Sequence, residues 1–530
     1  MPRNYLFRLL TFNAYDDAKN DDDDSHEETY KAAKDKEFIV QMFGINEKGE
    51  TASIFVEGFS PFFYILVDDD WNDSDMMAFK SSLYKKLNSK YWDNSIIKMQ
   101  YVEKKKLYGF NAGKKNKFLL MKFSCEQAMR KFKNIWYKSG KNKKGEYVRK
   151  LISYKFKDFN TRLYEAQIPP LLRLFHIKEI SPSGWIALPK KKCIRQTTNK
   201  STSCNFDFTI NYQHIIPLPD KELSVPYKIC SFDIEASSSH GDFPLAIKTY
   251  KKLAQNMVNA YNDKLEDEEN RSFLKRCLLT AYSMCKQPVE GIDIVYPKQD
   301  PSQKTIERKI NQWLKLKPSS FEDTASDELE NDIDSYYENT FDEGKKDFAV
   351  VDGFSWLAKK KKKTKYSKNS TVVELIGDKS VEIDTRINLL DKTLSAIFPK
   401  LKGDIVTFIG STFVKYGEEK PYLNHCIVRD TCSKMPHVDN AALESYPTEK
   451  EVLLAWTKLI QKEDPDIIIG YNIFGFDYTF MYQRACELNI TRQFLLLSRN
   501  KGEVCLKKNW KTQEEGLEEN TIIITSGQHD

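Results

Sequence analysis

Short apolar blocks bounded by polar residues dominate the first 70 positions, and that pattern predicts strands. Residues 5–12 and 37–44 read as strands, separated by a polar loop that carries the acid run Asp21–Asp24, taken as a disordered insertion. Thr51 to Val67 reads as two more strands with a turn near Gly58 and Pro61. Ser82 to Tyr91 fits an amphipathic helix followed by a turn. Strands and helices then mix until about Asp220, where Pro217, Pro219 and Pro226 punctuate a linker. The mostly apolar run Tyr227-Lys-Ile-Cys-Ser-Phe-Asp-Ile-Glu235 predicts a buried strand.

Farther on, Ile387, Leu390, Leu394 and Ile397 recur at helical spacing and stop at Pro399. Residues 404–414 and 422–428 read as a meander of two strands. Thr448 and Glu451 form a capping-box signature ahead of a helix carrying Val452, Leu453, Trp456, Leu459 and Ile460, which stops before Asp464-Pro465. Asp466 to Gly470 reads as a buried strand and Tyr478 to Leu488 as a helix. The sum is a mixed α/β chain. A β-rich N-terminal domain spans 1–220, a second domain is built from 221–244 and 401–530, and a charged, partly disordered insertion occupies 245–400.

At 530 residues, roughly three domains are expected. No apolar run approaches the roughly 20 residues of a membrane helix, and the first ten residues lack the form of a signal peptide. The expectation is an intracellular protein without a membrane partner. Ten cysteines contain no CxxC pair, which argues against a zinc ribbon or a disulfide framework and predicts reduced core thiols.

The net charge of +6 is small, but it is unevenly spread. Lys98 to Lys150 holds 17 Lys or Arg against three Glu, interleaved with rings such as Tyr101, Tyr108, Phe110, Phe118, Phe123, Phe132, Trp136 and Tyr147. Cations that track phosphates beside rings that stack on bases suit a single-stranded nucleic acid, with Lys104, Lys105 and Lys106 as contacts. The competing reading is a half-buried sheet with a solvated lysine face. The insertion carries ten acids and no base from Glu322 to Glu343, then five lysines at Lys359–Lys363.

The candidate chemistry sits at strand ends. Residues two apart in a strand share a face, so Asp233 and Glu235 converge where the strand stops. Asp477 falls at a strand-to-helix transition, where open α/β sheets place functional groups. Asp233 and Glu235 are then close enough to bind a divalent metal together, and Asp477 is a third carboxylate at a strand or helix end. His240 is read as a loop residue.

SFDIEASSSHGDFP, from Ser231, resembles the first exonuclease motif of family B DNA polymerases, and GYNIFGFDYTFMYQRACEL, from Gly470, resembles their second. GDIVTFIGSTF at 403–413 is similar to the strand between them. GFSPFFYI at 58–65 and YEAQIPPLLRLFHIKEISPSGWI at 164–186 are similar to segments ahead of that domain. Within the family, the delta-like enzymes of giant DNA viruses look most similar. The resemblance implies an RNase H-like 3′-5′ proofreading exonuclease. It implies that Asp233, Glu235 and Asp477 bind two Mg²⁺ ions (Mn²⁺ is an alternative), and that Asn472 and Phe476 contact the terminal nucleotide. The implied partners are DNA (a primer 3′ end and single-stranded template), a downstream polymerase polypeptide and a sliding clamp. The implied location is host cytoplasm or nucleus.

The family's third motif, Tyr-x-x-x-Asp, does not follow Asp477 in these 530 residues, and the palm motifs are absent. The expectation is therefore an N-terminal polymerase portion that is weak or inactive as a nuclease alone. The separation of 244 residues between Asp233 and Asp477 exceeds what a compact exonuclease domain needs, and the excess is the insertion. A non-catalytic nucleic-acid-binding module and a replication scaffold are the alternatives.

Overall fold

The structure, a computed structural model, describes residues 4–18, 32–106, 114–141, 147–238, 241–264, 268–318 and 370–505. The acid runs at 21–24 and 322–343, the lysine run at 359–363, Tyr108, Phe110 and His240 lie outside the described residues. The chain divides into two units. The first comprises Met1–Asp233, Ile409–Tyr478 and Ile490–Asp530, the second Ile234–Phe408 and Thr479–Asn489.

Strands Asn4–Ala18 and Lys36–Ile45 form where the early pattern predicts them, and pair antiparallel. They sit inside a seven-stranded sheet. Its order is Cys193–Gln196, Phe206–Asn211, Thr51–Glu57, Lys36–Ile45, Asn4–Ala18, Trp185–Pro189, Ile216–Leu218. Phe7, Val40, Met42, Ile54 and Phe208 pack its core. The Thr51–Val67 region does contain two strands, but they do not pair with each other. Phe62–Leu66 joins a five-stranded sheet with Lys115–Phe123 and Phe159–Tyr164 on either side. The switch between sheets runs through Gly58, whose φ is +79° and where a Cβ would stand 2.2 Å from Asn211 Nδ2. Only glycine meets both demands.

The basic segment builds much of that second sheet. Phe123, Phe132 and Trp136 are buried among Phe63, Phe79 and Met121, and Phe118 is buried on the other face of its strand, 5.1 Å from the Tyr164 ring. Those four rings are core, not a surface for bases. Tyr101 lies under the Lys117 ammonium at 4.6 Å and its hydroxyl donates to Asn72 O.

A third sheet has the order Ala441–Tyr446, Leu423–Arg429, Ile405–Lys415, Lys228–Ser237, Ile467–Ile469. The meander over 404–414 and 422–428 is present. The strand Ala441–Tyr446, parallel to Leu423–Arg429, is an addition the pattern does not foretell, because none of its side chains is buried. Helix Glu449–Glu463 opens on the Thr448/Glu451 capping box and ends at Asp464, which is left-handed at φ 50°. Its Trp456 is buried and donates to Ser411 Oγ at 3.3 Å.

The second unit includes residues 245–400, over which the sequence predicts an insertion. Its described part is a helical body with its own core. Helices Lys251–Ala260, Asn270–Ala281, Gln303–Trp313 and Ile383–Ile397 enclose Tyr250, Trp313, Leu390 and Phe398. Trp313 Nε1 donates to Thr393 Oγ1 at 3.0 Å, and the hydroxyls of Tyr250 and Tyr282 lie 2.6 Å apart.

All ten cysteines are free thiols, and five of them are buried: Cys125, Cys204, Cys230, Cys277 and Cys505. Cys432 and Cys486 are exposed, so the expectation of core thiols throughout fails for these two.

Candidate active site

The strand Lys228–Ser237 is not buried on both faces. Cys230, Phe232 and Ile234 point into the core, while Ser231, Asp233 and Glu235 are exposed. The alternation puts both carboxylates on the open face, as residues two apart in a strand must be. Asp233 closes one segment of the first unit, and Glu235, two residues on, belongs to the second. On the buried face, burial pushes the Cys230 thiol up to about 12, so it stays protonated and offers no metal-binding thiolate.

The neighbouring strand, Ile467–Ile469, runs parallel with Ile229 opposite Ile467 and Ser231 opposite Ile469. Asp466 sets this register. Its N–H donates to Lys228 O and its Oδ2 accepts from the Lys228 N–H, both at 2.8 Å. Its other oxygen takes a hydrogen bond from Arg499 Nη2 at 2.8 Å, while Arg499 Nε donates to Asp464 Oδ1 at 2.7 Å. Arg499 is only 2% exposed. Burial opposes its charge, but Asp464 and Asp466 outweigh that cost and hold its pKa above the ordinary arginine value. Two hydrogen bonds flank it: Ser203 N–H, in the loop between Cys193–Gln196 and Phe206–Asn211, donates to Arg499 O at 2.8 Å, and the Gln41 side chain of the seven-stranded sheet donates from Nε2 to Asn500 Oδ1 at 2.8 Å.

Beyond Ile469 the chain makes a tight loop. A Cβ on Gly470 would lie 2.2 Å from Ile473 Cγ2 and 2.9 Å from Phe232 O, so only glycine lets the loop start against that strand. Asn472 is left-handed at φ 53°, and its carbonyl accepts the N–H groups of Gly475 and Phe476 at 3.0 Å each. Helix Asp477–Glu487 begins one residue earlier than the sequence predicts, which makes Asp477 its first residue. Asp477 is 1% exposed. A carboxylate in the first turn is favoured by the helix dipole, which offsets part of the cost of burying it.

The two candidate carboxylates of the first unit are linked by packing. Phe232, just before Asp233, and Tyr478, just after Asp477, have ring centroids 5.2 Å apart, and Phe232 also meets Trp456 at 4.9 Å. Burial first, then the nearby Cys230 and Asp477, push the Tyr478 phenol above its ordinary pKa, so it stays neutral.

Among the described residues, no group of three or more His, Cys, Asp or Glu side chains is drawn together as metal ligands. Asp233 and Glu235 lie on an open strand face, whereas Asp477 is tucked into the core. Asn472 is exposed and Phe476 half-buried, both in the loop before Asp477. Lys104 and Lys105 are exposed on the Ile96–Lys105 strand of the five-stranded sheet, and the half-buried Lys106 holds its ammonium 6.0 Å above the Tyr164 ring. Sequence reasoning misses the Arg499–Asp464–Asp466 cluster. Its only local signal is the pair of aspartates flanking Pro465.

Residues 161–300 and 351–528 match the exonuclease domain of DNA polymerase family B. The chain is 39% identical over 537 residues to a DNA polymerase of Phaeocystis pouchetii virus, an alignment covering 99% of this chain and 51% of that protein. Against a DNA polymerase of Pyramimonas orientalis virus it is 28% identical, covering 93% of this chain and 38% of the other. A stretch of 132 residues is 37% identical to the DNA polymerase delta catalytic subunit of Arabidopsis thaliana, 24% of this chain and 12% of that one. The chain thus spans about half the length, or less, of these relatives.

Proposed function

Because the chain belongs to DNA polymerase family B and carries that family's exonuclease domain, we propose that it holds the metal-dependent 3′-5′ proofreading portion of a replicative DNA polymerase. The nuclease would be built from residues 221–244 and 401–530. The observation that carries this reading is the Phe232–Tyr478 packing, which ties the strand bearing Asp233 to the helix turn bearing Asp477 within one unit.

By donor chemistry, though not drawn together as ligands among the described residues, the set suits a divalent metal. Asp233, Glu235 and Asp477 offer only carboxylate oxygens, the hard donors that Mg²⁺ prefers, and the Cys230 thiol faces the opposite side of the strand. Bound there, such ions would activate water and stabilise the oxygen leaving the 3′-terminal phosphodiester. The chain's own residues hold the geometry. The open face of the Lys228–Ser237 strand keeps Asp233 and Glu235 accessible to a strand end. The Asp466–Lys228 hydrogen bonds keep that strand and Ile467–Ile469 in register, and the turn built on Asn472 delivers Asp477 to the helix start. Asn472 and Phe476 lie in this turn as contacts for the terminal nucleotide. Lys104, Lys105 and Lys106 are proposed contacts to the DNA backbone. A downstream polymerase polypeptide and a sliding clamp are the proposed protein partners.

The test is a gel assay on a 5′-labelled single strand with Mg²⁺, using the chain with and without a polypeptide supplying the third motif. Release of 3′-terminal nucleotides, slow for the chain alone, faster with the supplement and abolished by Asp233→Ala, is the expected result. No release in either arm overturns the reading in favour of a non-catalytic nucleic-acid-binding module.

A further inference from the structure

The inserted residues 245–400 begin and end beside one helix. The entering and leaving chains are bonded to each other: Leu245 N–H donates to Asp404 Oδ2 at 2.9 Å, and Asp404 N–H donates to Leu245 O at 2.8 Å. A second rung joins Lys402 N–H to Tyr296 O at 2.8 Å and Lys298 N–H to Lys400 O at 2.9 Å. These bonds form the root of the insertion. Gly403 stands so near the entering chain that a Cβ would lie 1.8 Å from Ala246 O, a backbone atom that cannot swing aside.

Helix Asp477–Glu487 grips that root. Arg484 is 3% exposed, and its Nη1 donates to Ala246 O at 3.2 Å. The same nitrogen lies 3.1 Å from Glu487 Oε2, which also pairs with the Lys298 ammonium at 3.2 Å. The Lys298 pair is partly open to water and contributes little by itself. The buried bond from Arg484 is the stronger tie, because its donor is charged and screened from solvent.

The helix carries this tie to its first residue. Asp477, Phe480, Met481 and Arg484 are all buried, and they recur at i, i+3, i+4 and i+7, so they share one face. Burial of Phe480 and Met481 holds that face inward, but apolar burial is non-directional and resists small rotations and slides of the helix weakly. A hydrogen bond to a fixed carbonyl is directional and resists both. Arg484 stands about 10 Å from Asp477 along the axis, two helical turns away. A rotation of about 10° would move a group at the rim of the helix by about 1 Å. A displacement of that size can cost about 10²-fold in rate.

We infer that Arg484 is a positioning residue for the Asp477 carboxylate, and that the root of the insertion, through Ala246, is the anchor it holds. The insertion is then a working part of the nuclease. The inference rests on the nuclease reading above for the role of Asp477, but the anchor is read without hydrolysis.

Two variants loosen the anchor differently. Gly403→Ala wedges the root apart and keeps every charged group, whereas Arg484→Met removes the guanidinium. Urea midpoints establish that each is folded, and Gly403→Ala alone decides if Arg484→Met is not. Hydrogen exchange followed by mass spectrometry in EDTA is the first measurement. Amides 478–483 are expected to exchange about tenfold or more faster in both variants, with those of Lys251–Ala260 and Glu449–Glu463 unchanged. Arg484→Lys, which keeps the charge but not the fork, should lie between Arg484→Met and the unmodified protein. Unchanged exchange at 478–483 overturns the anchor. So does an equal rise in all three helices, since Arg484 would then only stabilise the fold. The second measurement is single-turnover release with Mg²⁺ and a polypeptide supplying the third motif. The rate should fall about 10²-fold while oligonucleotide affinity in EDTA holds. Affinity falling in step with rate overturns the positioning role. Failure of the nuclease reading appears separately, as no Mg²⁺-dependent release by the unmodified protein, and the exchange measurement still decides the anchor.

Discussion

The rings of Phe232 and Tyr478 lie 5.2 Å apart, and each is the chain neighbour of a candidate metal-binding aspartate. Asp233 is held on the open face of its strand by the burial of Phe232 on the other. Asp477 is held at a helix start whose next residue, Tyr478, packs on that same phenylalanine. Displacing this contact therefore moves both carboxylates, and small misplacements of catalytic groups can cost about 10²-fold in rate.

Phe232→Ala is expected to destabilise the protein by about 3–5 kcal/mol, because the site is buried against Trp456 and Tyr478 and cannot fully collapse. Phe232→Leu should cost less and still slow hydrolysis more than it weakens oligonucleotide binding. Urea unfolding and single-turnover hydrolysis separate the two effects. Equal hydrolysis by the Leu variant and the unmodified protein would remove the positioning role.

Arg499→Met leaves Asp464 and Asp466 without their shared cation at a buried position. A cost of about 3–5 kcal/mol follows for breaking such a pair. Arg499→Lys should also destabilise, since an ammonium cannot reproduce the forked hydrogen bonds to both aspartates. The measurement is the urea midpoint. Unchanged midpoints would mean the cluster is solvated in solution.

Cys432 and Cys486 should react first with a thiol reagent in the native protein, and Cys230 and Cys277 only on unfolding. Burial pushes the thiols of Cys230 and Cys277 up to about 12. The folded state then keeps a proton that the unfolded thiol releases near 8.5. The stability it contributes is complete below that value and is lost as pH rises toward about 12. Stability of the unmodified protein should accordingly fall more steeply above pH 9 than that of Cys277→Ala.

Replacing Lys104, Lys105 and Lys106 with Ala tests the basic sheet. Each lost phosphate contact should flatten the dependence of log affinity on log salt by about 0.7 for a single strand. An unchanged slope, measured by fluorescence anisotropy, would leave these lysines as a solvated face over a core that holds Phe123 and Trp136.

What the sequence determined by itself was local. The alternation through Cys230, Phe232 and Ile234 places Asp233 and Glu235 on one face, and the Thr448/Glu451 box starts a helix, because both depend on residues a few positions apart. The motif spacing that resembles family B polymerases was equally legible, since it is written in residue types and order. Tertiary structure decided what distant partners control. Strands 51–57 and 62–66 separate into different sheets at Gly58, where φ is +79° and a distant residue, Asn211, fills the space a Cβ would need. Arg499 neutralises aspartates 33 and 35 positions away, and its neighbour Asn500 bonds Gln41 across 459. The rings of the basic segment turn inward because their sheet faces Phe63 and Phe79, and a charge pattern alone carries no record of which face of a strand finds a core.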